Sequence, residues 1–234
     1  MKKEIAENLI KKTKDDYNLI AQDFSRTRGG LWDEILFLFD NYLRERDRVL
    51  DAGCGNGRYV PVFKKKGVEY FGIDQSQELI EIARKTYPES KFFVGGILNL
   101  PFQNNYFDNI CSIAVLHQIP SKELRLQFLK ELKRTLKPGG NLIITVWMPR
   151  QKKELLACFK YTILKLLGKT DLDFGDAMIS FGKQAERYYH FFSKTELRDL
   201  IERAGFKIKE LGVVKNEKGN RQNIYLVAVE KSST

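Results

Sequence analysis

The segment that most constrains the fold is VLDAGCGNGRYV, from Val49 to Val60, where three glycines join a β-rich run to a helical pattern. Gly53, Gly55 and Gly57 allow a tight turn and bring backbone N–H groups close to a ligand at a helix N-terminus. A dinucleotide-binding turn would place its third glycine at position 58, which here is Arg58. The turn therefore predicts a ligand site at the end of a strand, without the pattern that cradles a pyrophosphate.

The chain around this turn alternates β-rich runs with helical patterns. The predicted strands are Arg48–Asp51, Glu69–Asp74, Lys91–Val94, Phe107–Ala114 and Asn141–Trp147, and the predicted helices include Ser76–Thr86 and Ser121–Leu136. Apolar residues at every fourth position of the second helix provide a stripe that packs on a sheet. The segment Lys137–Gly140 is expected to stop that helix and turn into the next strand. Such alternation favours parallel strands with right-handed crossovers.

The C-terminal part follows a different pattern. Ser193–Ala204 is a predicted helix with a capping-box signature, Ser193 and Glu196. Two β-rich runs follow, Lys207–Val214 and Asn223–Val229, and the short polar turn between them predicts an antiparallel hairpin. The predicted fold is α/β, a doubly wound, mostly parallel seven-stranded sheet that ends in this hairpin. We expect one domain, with an N-terminal helical addition (1–46), a cofactor-binding half (47–147), a helical insertion (148–186), and a C-terminal helix and hairpin (187–234).

Composition limits the class of protein. Hydrophobic residues make up 43% of the chain and charged residues 30%, which is ordinary for a globular domain. The longest apolar stretch, Leu142–Met148, is too short to cross a bilayer, so no membrane association is expected. The three cysteines lie far apart without metal-ligand spacing, which favours a reducing cytoplasm and no metal site. The net charge of +10 favours a polyanionic partner, although lysines that simply solvate helix faces would give the same balance.

Gly-x-Gly-x-Gly preceded by Asp51 resembles the first motif of the class I S-adenosylmethionine-dependent methyltransferases. The resemblance implies S-adenosylmethionine as cofactor, with the turn near its amino acid and ribose. The acid at the end of the next strand, Asp74, would accept both ribose hydroxyls. The residues implied for cofactor binding are Tyr17, Asp51, Gly53, Gly55, Gly57, Asp74, Gln75, Ile97, Leu98 and Ala114.

One position departs from that family. Where the family usually has an aspartate that accepts from the adenine amino group, this chain has Gly96. Backbone groups near Ile97 and Leu98 and apolar packing would then hold the adenine, with weaker cofactor binding as the expected result.

Three further segments narrow the class: YNLIAQDFSRTRGGLW from Tyr17, SIAVLH ending at His117, and RYYHFFSKTEL from Arg187. In this order they resemble the tRNA wobble-uridine carboxymethyl methyltransferases, also found as the methyltransferase domain of an AlkB-type tRNA hydroxylase. The resemblance spans most of the chain, about residues 17–230. It implies the tRNA anticodon loop as substrate and a small zinc-ribbon activator protein as partner. The residues implied for the acceptor side are Arg28, His117, Arg187, Tyr188 and His190.

The chemistry of that family suits these residue types. A carboxylate acceptor is already ionised at pH 7, so the enzyme has to align it with the methyl donor rather than remove a proton. Arg28 and Arg187 are candidates for holding the nucleotide, and Tyr188 or Tyr189 for stacking on a base. Each of these roles has an alternative interpretation. His117 would then only shape the pocket, the tyrosines would pack beneath the insertion, and Arg187 would pair with a structural acid.

Two other functions stay open on the sequence. One is a methyltransferase for a small molecule, such as a quinone or a carboxylic acid metabolite, because the same core serves many acceptors. The other is a partner subunit without catalysis, against which the intact glycine turn and Asp74 argue.

Overall fold

The computed structural model describes residues 1–28, 30–149, 152–182 and 184–231. Its helices are α1 (Lys3–Arg28), α2 (Leu36–Tyr42), α3 (Val60–Lys65), α4 (Gln77–Thr86), α5 (Lys122–Thr135), α6 (Lys152–Leu166) and α7 (Lys194–Arg203). Its strands are β1 (Arg48–Ala52), β2 (Glu69–Asp74), β3 (Lys91–Val94), β4 (Phe107–Ile113), β5 (Leu136–Trp147), β6 (Asp176–Phe181), β7 (Ala185–His190), β8 (Phe206–Lys215) and β9 (Gln222–Glu230).

Seven strands form one sheet in the order β3-β2-β1-β4-β5-β9-β8. The first five are parallel to one another, and β9 runs antiparallel to both of its neighbours. Strand order reverses next to β1, so the carboxyl ends of β1 and β4 flank the crevice where doubly wound sheets bind ligands. The predicted fold class, including the terminal hairpin, is confirmed.

Both faces of this sheet are covered, because consecutive strand residues point in opposite directions. Leu50 packs into a core with α5 and α7, and its neighbour Val49 packs into a second core with α2, α3 and α4. In β5, Leu142 packs into the first of these cores and Ile143 into the second. Each fully buried side chain of this kind contributes about 1.5–3 kcal/mol. Strands buried on both sides need the near-continuous apolar runs that identified them in the sequence.

The β8–β9 turn lies at the same edge of the sheet as the carboxyl ends of the parallel strands. Trp147, at the end of β5, pairs with Asn223 near the start of the antiparallel β9. The turn is closed by bonds from the Asn216 N–H to the Arg221 carbonyl (3.2 Å) and from the Arg221 N–H to Asn216 Oδ1 (2.9 Å). Arg221 is thereby brought to the ligand-binding edge.

The insertion between β5 and α7 differs from the prediction of a helical segment over 148–186. It contains α6, but also the antiparallel hairpin of β6 and β7, in which Asp176 pairs with His190 and Phe181 with Ala185. Residues 187–190 belong to this hairpin, so the expected boundary at 186 divides one structural unit. Two short strands are marginal alone, and this pair packs on α1 and on the 3₁₀ turn Leu116–Gln118.

Two local predictions also change. The strand β5 begins at Leu136, and the segment Lys137–Gly140 lies within it rather than before it. Ser193 does cap α7 by accepting the Glu196 N–H (3.1 Å). The Glu196 side chain, however, lies 2.7 Å from His190 Nε2 instead of returning to the cap.

Among the described helices, none combines the length and apolar character needed to cross a membrane.

Candidate active site

A cavity of about 500 Å³ lies over the carboxyl ends of β1, β2, β4 and β5. Its floor comes from the sheet and the glycine turn, one wall from α1, and another from β7 and the β8–β9 turn. Most of the predicted site residues line it: Tyr17, Arg28, Asp51, Gly53, Gly55, Asp74, Gln75, Ile97, Leu98, Ala114, His117 and Arg187. Residues that are distant in sequence thus share one cavity.

The glycine turn has the conformation that its sequence predicts. Gly53, Gly55 and Gly57 all have positive φ angles, 86°, 55° and 74°. A Cβ on Gly53 would lie 2.3 Å from Val115 Cγ2, so the turn admits no side chain there. Gly57 does not line the cavity, and a Cβ there would meet Phe92 at 3.0 Å. Gly57 therefore shapes the turn, whereas Gly53 and Gly55 face the ligand space.

Two carboxylates stand beside this turn. Asp74 accepts the Gly55 N–H through Oδ2 and the Ser76 N–H through Oδ1, both at 2.9 Å. Burial raises its pKa, and these backbone hydrogen bonds oppose the rise. Asp51 is 2% exposed and accepts a hydrogen bond from the Tyr70 hydroxyl at 3.2 Å. Burial raises the pKa of Asp51 to about 7. The carboxylate of Asp74 is fixed at the end of β2, with lone pairs left for a ligand.

The segment after β3 forms the part of the cavity where the sequence predicted the adenine. Gly96, Ile97 and Leu98 all line it. A Cβ built on Gly96 meets nothing within 4 Å, so the absent carboxylate leaves open space. Across the cavity, Ala114 has a positive φ of 61° and its N–H donates to the Thr145 carbonyl at 3.0 Å.

His117 stands where β4 ends. It is 2% exposed, and its Nδ1 accepts the backbone N–H of Trp147 at 3.3 Å. Burial, together with the nearby charge of Arg187, lowers its pKa to about 3. The imidazole is therefore neutral with its proton on Nε2, which makes it a hydrogen-bond donor rather than a base. Its ring stacks on Tyr189 with centroids 5.4 Å apart and 14° between planes.

Arg187 is the most buried cation of the cavity wall, with 8% of its surface exposed. Its Nη1 donates to the Tyr17 hydroxyl at 2.9 Å, and its guanidinium lies over the rings of Phe181 (4.8 Å) and Tyr189 (5.3 Å). Within the described part of the chain no carboxylate lies within 4.0 Å of this guanidinium, and Nε has no hydrogen-bond partner. Buried charges are normally paired, so this arrangement suits an anionic ligand.

Tyr188 and His190 do not line the cavity, so the structure does not bring these two predicted catalytic residues to the site. Side chains alternate along β7, so Arg187 and Tyr189 face the cavity, whereas Tyr188 and His190 point to the other side of the strand. The Tyr188 hydroxyl donates to Asp176 Oδ1 (2.6 Å). The two ring nitrogens of His190 lie 2.7 Å from Asp176 and 2.7 Å from Glu196.

Several residues at the cavity were not predicted as site residues: Trp32, Arg58, Trp147 and Arg221. The sequence held one hint, since Arg58 occupies the position at which a dinucleotide fold has glycine. Trp147 and Arg221 come from the ends of neighbouring antiparallel strands, which only the register brings together. Within the described ranges, no group of three or more His, Cys, Asp or Glu residues is arranged to hold a metal ion.

Comparison with known proteins agrees with this geometry. A family described as methyltransferase domain matches residues 50–144. A methyltransferase of Encephalitozoon cuniculi is 31% identical over 198 residues, covering 84% of this chain and 87% of that protein. The tRNA (carboxymethyluridine(34)-5-O)-methyltransferase of Schizosaccharomyces pombe is 31% identical over 229 residues, covering 91% of this chain and 93% of that protein. The Arabidopsis thaliana enzyme of the same name is 36% identical over 136 residues, and the chain spans only 32% of its length.

Two solved structures extend the comparison. An S-adenosylmethionine-dependent methyltransferase from Methanosarcina mazei superposes with a TM-score of 0.72 at 25% identity, covering 86% of this chain and 98% of that one. A Haloferax volcanii methyltransferase in complex with the Trm112 methyltransferase activator gives 0.70 at 18% identity, covering 95% and 99%. The second likeness is one of fold.

A doubly wound sheet with this glycine turn, and with Asp74 at the end of β2, defines an S-adenosylmethionine-dependent methyltransferase of class I. More narrowly, the chain belongs to the methyltransferase family that includes the tRNA (carboxymethyluridine(34)-5-O)-methyltransferases. The residues present fit the cofactor, because Gly53 and Gly55 line the cavity in a tight turn and Asp74, at the end of β2, offers a carboxyl group to ribose hydroxyls.

Proposed function

We propose that this chain transfers the methyl group of S-adenosylmethionine to the carboxymethyl carboxylate of a modified wobble uridine in tRNA, giving the methyl ester. The observation that carries the proposal is Arg187, a buried cation that lines the cavity and has no carboxylate within 4.0 Å in the described part of the chain, Asp16 acting on it only at longer range. The names of the fission yeast and plant relatives agree with it.

The acceptor chemistry needs no general base. The bound cofactor supplies an electrophilic methyl group on a sulfonium. A carboxylate is ionised well below pH 7 and attacks that carbon through one oxygen, while the carbon–sulfur bond breaks with its electron pair on sulfur. His117 is neutral with Nδ1 occupied, so it lacks a free lone pair for proton removal. A site in which His117 cannot act as the base suits a carboxylate better than a hydroxyl or an amide.

Arg187 would orient the acceptor by pairing with the carboxylate oxygen that does not attack. Nη1 already donates to Tyr17, so Nη2 and the unpaired Nε are the groups left for that contact. The surrounding rings of Phe181 and Tyr189 keep water away and strengthen the pairing. Alignment of this kind accounts for much of the rate that a methyl transfer gains from an enzyme.

The uracil ring would lie against the aromatic wall of the cavity. Tyr189 stacks on His117 and contacts Trp147, with ring centroids 5.1 Å apart. Flat side chains of this kind hold bases that are turned out of an RNA loop.

A small zinc-ribbon activator is the partner that we propose. The Haloferax volcanii methyltransferase of similar fold was solved with the Trm112 methyltransferase activator. Purified chain should show higher methyl transfer to tRNA when such a protein is added, and equal rates with and without it would remove this part of the proposal.

The test uses tRNA that carries 5-carboxymethyluridine at the wobble position, with labelled S-adenosylmethionine and mass spectrometry of the nucleosides. We expect the methyl ester to form, and Arg187→Gln to lower kcat/KM by roughly 10- to 100-fold, the range for a lost hydrogen bond to a charged group. Arg203→Gln removes an exposed arginine from α7 and is the matched control. Turnover of quinones or small carboxylic acids with no product on tRNA would reassign the enzyme to a small acceptor.

A further inference from the structure

Three arginines from separate parts of the chain meet at the cavity mouth. Arg28 ends α1, Arg58 follows the glycine turn, and Arg221 closes the β8–β9 turn. All three line the cavity, and the guanidinium groups of Arg58 and Arg221 lie over the Trp32 ring at 4.7 and 4.8 Å. We call these three residues the arginine rim.

The charges of the rim are only partly compensated. Arg221 pairs with Glu34 through two contacts, Nε to Oε1 at 2.6 Å and Nη2 to Oε2 at 2.8 Å. Burial would raise the pKa of Glu34, but Arg221 holds it below its ordinary value, so the pair is ionised. Arg28 and Arg58 have no such partner, as no ion pair joins either of them to a carboxylate among the described residues.

Arg58 is held in place without being neutralised. Its guanidinium stacks on Trp32 and lies 5.1 Å from the Tyr59 ring centroid, and Nη1 makes a long contact of 3.4 Å with the Arg28 carbonyl. Stacking uses the faces of a guanidinium and leaves its N–H edges free for an oxyanion. Arg221, which Glu34 holds in place, also lies over the Trp32 ring. The rim therefore offers two cations without an ion pair in the described part of the chain, Arg28 and Arg58, and Arg58 is fixed against the Trp32 ring.

We propose that Arg28 and Arg58 bind a backbone phosphodiester next to the nucleotide whose base enters the cavity. This inference rests on the proposed function, and it says that the enzyme recognises the target as part of a nucleic acid chain rather than as a free nucleoside. Arginine forks match the two free oxygens of a phosphodiester, and Arg28 and Arg58 both line the cavity that would take the base. The α-carboxylate of the cofactor is the competing anion, and the experiment separates the two.

The experiment compares two acceptors, a 5-carboxymethyluridine anticodon stem-loop and the 5-carboxymethyluridine nucleoside, with Arg58→Gln and Arg28→Gln. Each variant should raise KM for the stem-loop about tenfold and change KM for the nucleoside less than twofold. In filter binding with S-adenosylhomocysteine present, each should lower the salt-dependence slope of stem-loop affinity by about 1. Arg58→Lys keeps the charge and should keep the slope. Lys64→Gln, an exposed charge loss on α3, is the matched control and should behave as the unchanged protein.

The possible results distinguish binding of RNA phosphate by the rim from binding of the cofactor carboxylate. If Arg58→Gln weakens S-adenosylmethionine binding in calorimetry and affects both acceptors alike, the rim holds the cofactor carboxylate and the inference is overturned. An unchanged salt slope with unchanged stem-loop KM overturns it as well. If the unchanged protein methylates neither acceptor, the proposed function fails, while the salt slopes still decide whether the rim binds RNA phosphate. Thermal melting of each variant shows whether a loss of stem-loop binding reflects unfolding. If Arg58→Gln unfolds, the comparison with the unchanged protein is made with Arg58→Lys instead.

Discussion

The Tyr17 hydroxyl and Arg187 Nη1 lie 2.9 Å apart, although 170 residues separate them in sequence. The contact ties the N-terminal helix to the hairpin of the insertion across the acceptor side of the cavity. It also fixes one edge of a guanidinium whose other donors stay available. The position of Arg187 thus depends on a segment that precedes the whole sheet.

Tyr17→Phe removes the acceptor of this hydrogen bond and keeps the ring. We expect kcat/KM for the tRNA acceptor to fall by roughly 5- to 10-fold, with a loss of about 1 kcal/mol in the free energy of unfolding. Steady-state kinetics and urea denaturation measure the two effects. Tyr161→Phe, which changes a tyrosine of α6 outside the cavity lining, is the control. A loss confined to cofactor affinity would show that Tyr17 serves the donor side instead.

Gly53→Ala tests the tightest contact of the glycine turn. The added methyl would clash with Val115 Cγ2 at 2.3 Å in a backbone with φ of 86°, so we expect cofactor binding to be lost and stability to fall by several kcal/mol. Gly139→Ala is a matched control, because φ there is 79° and a Cβ meets nothing within 4 Å. Gly139→Ala should lower the free energy of unfolding only by the cost of a positive φ at a non-glycine residue, about 1–2 kcal/mol. Equal losses in both variants would mean that the contact with Val115 is unimportant.

Gly96→Asp introduces the carboxylate that the sequence resemblance leads us to expect near the adenine. The cavity has room for it, since a Cβ on Gly96 meets nothing within 4 Å. One charge-assisted hydrogen bond to the adenine amino group should tighten cofactor binding by roughly tenfold. Calorimetry with S-adenosylhomocysteine measures the change, and Gly96→Asn gives the uncharged comparison. Binding that stays equal or weakens would argue that the adenine lies elsewhere.

Asp51 makes the stability of the cofactor-free protein depend on pH. Its pKa is about 7 in the folded state and 3.8 for an ordinary carboxyl, so the unfolded chain releases the proton first as pH rises. Stability therefore falls between about pH 4 and pH 7, by up to roughly 4 kcal/mol, relative to a variant that cannot ionise. Urea denaturation from pH 5 to 8 should show Asp51→Asn losing less stability than the unchanged protein. Asp15→Asn, on the exposed face of α1, should follow the unchanged protein.

The cofactor-binding part of the candidate site could be predicted from the sequence, because local structure at the ends of single strands places its residues. Gly53, Asp74 and Ala114 each stand directly at the end of a strand, and parallel strands bring those ends to one edge. Apolar runs located the strands of the seven-stranded sheet to within a residue or two, except where β5 starts early at Leu136. No long-range pairing had to be known.

The part of the cavity proposed for the acceptor could be predicted only in part, because pairing between distant strands decides which side chains reach it. The face that Tyr188 presents depends on the register between β6 and β7, and the insertion was expected to be helical. Arg221 reaches the mouth only because β9 is antiparallel to β5. Arg58, although it stands in the best-recognised motif, owes its role to Trp32 and Arg28, which precede the sheet.

The alternation along β7 also limits how this region can evolve. Surface hairpins usually tolerate a residue gained or lost, but a one-residue slip here would turn Arg187 and Tyr189 away from the cavity and present Tyr188 and His190 in their place. The buried Asp176 and the more exposed Glu196 would then lose their hydrogen bonds at the same time. Length changes in this hairpin are therefore expected to abolish acceptor recognition and leave cofactor binding intact, so loop engineering aimed at new acceptors should vary side chains and keep the length fixed.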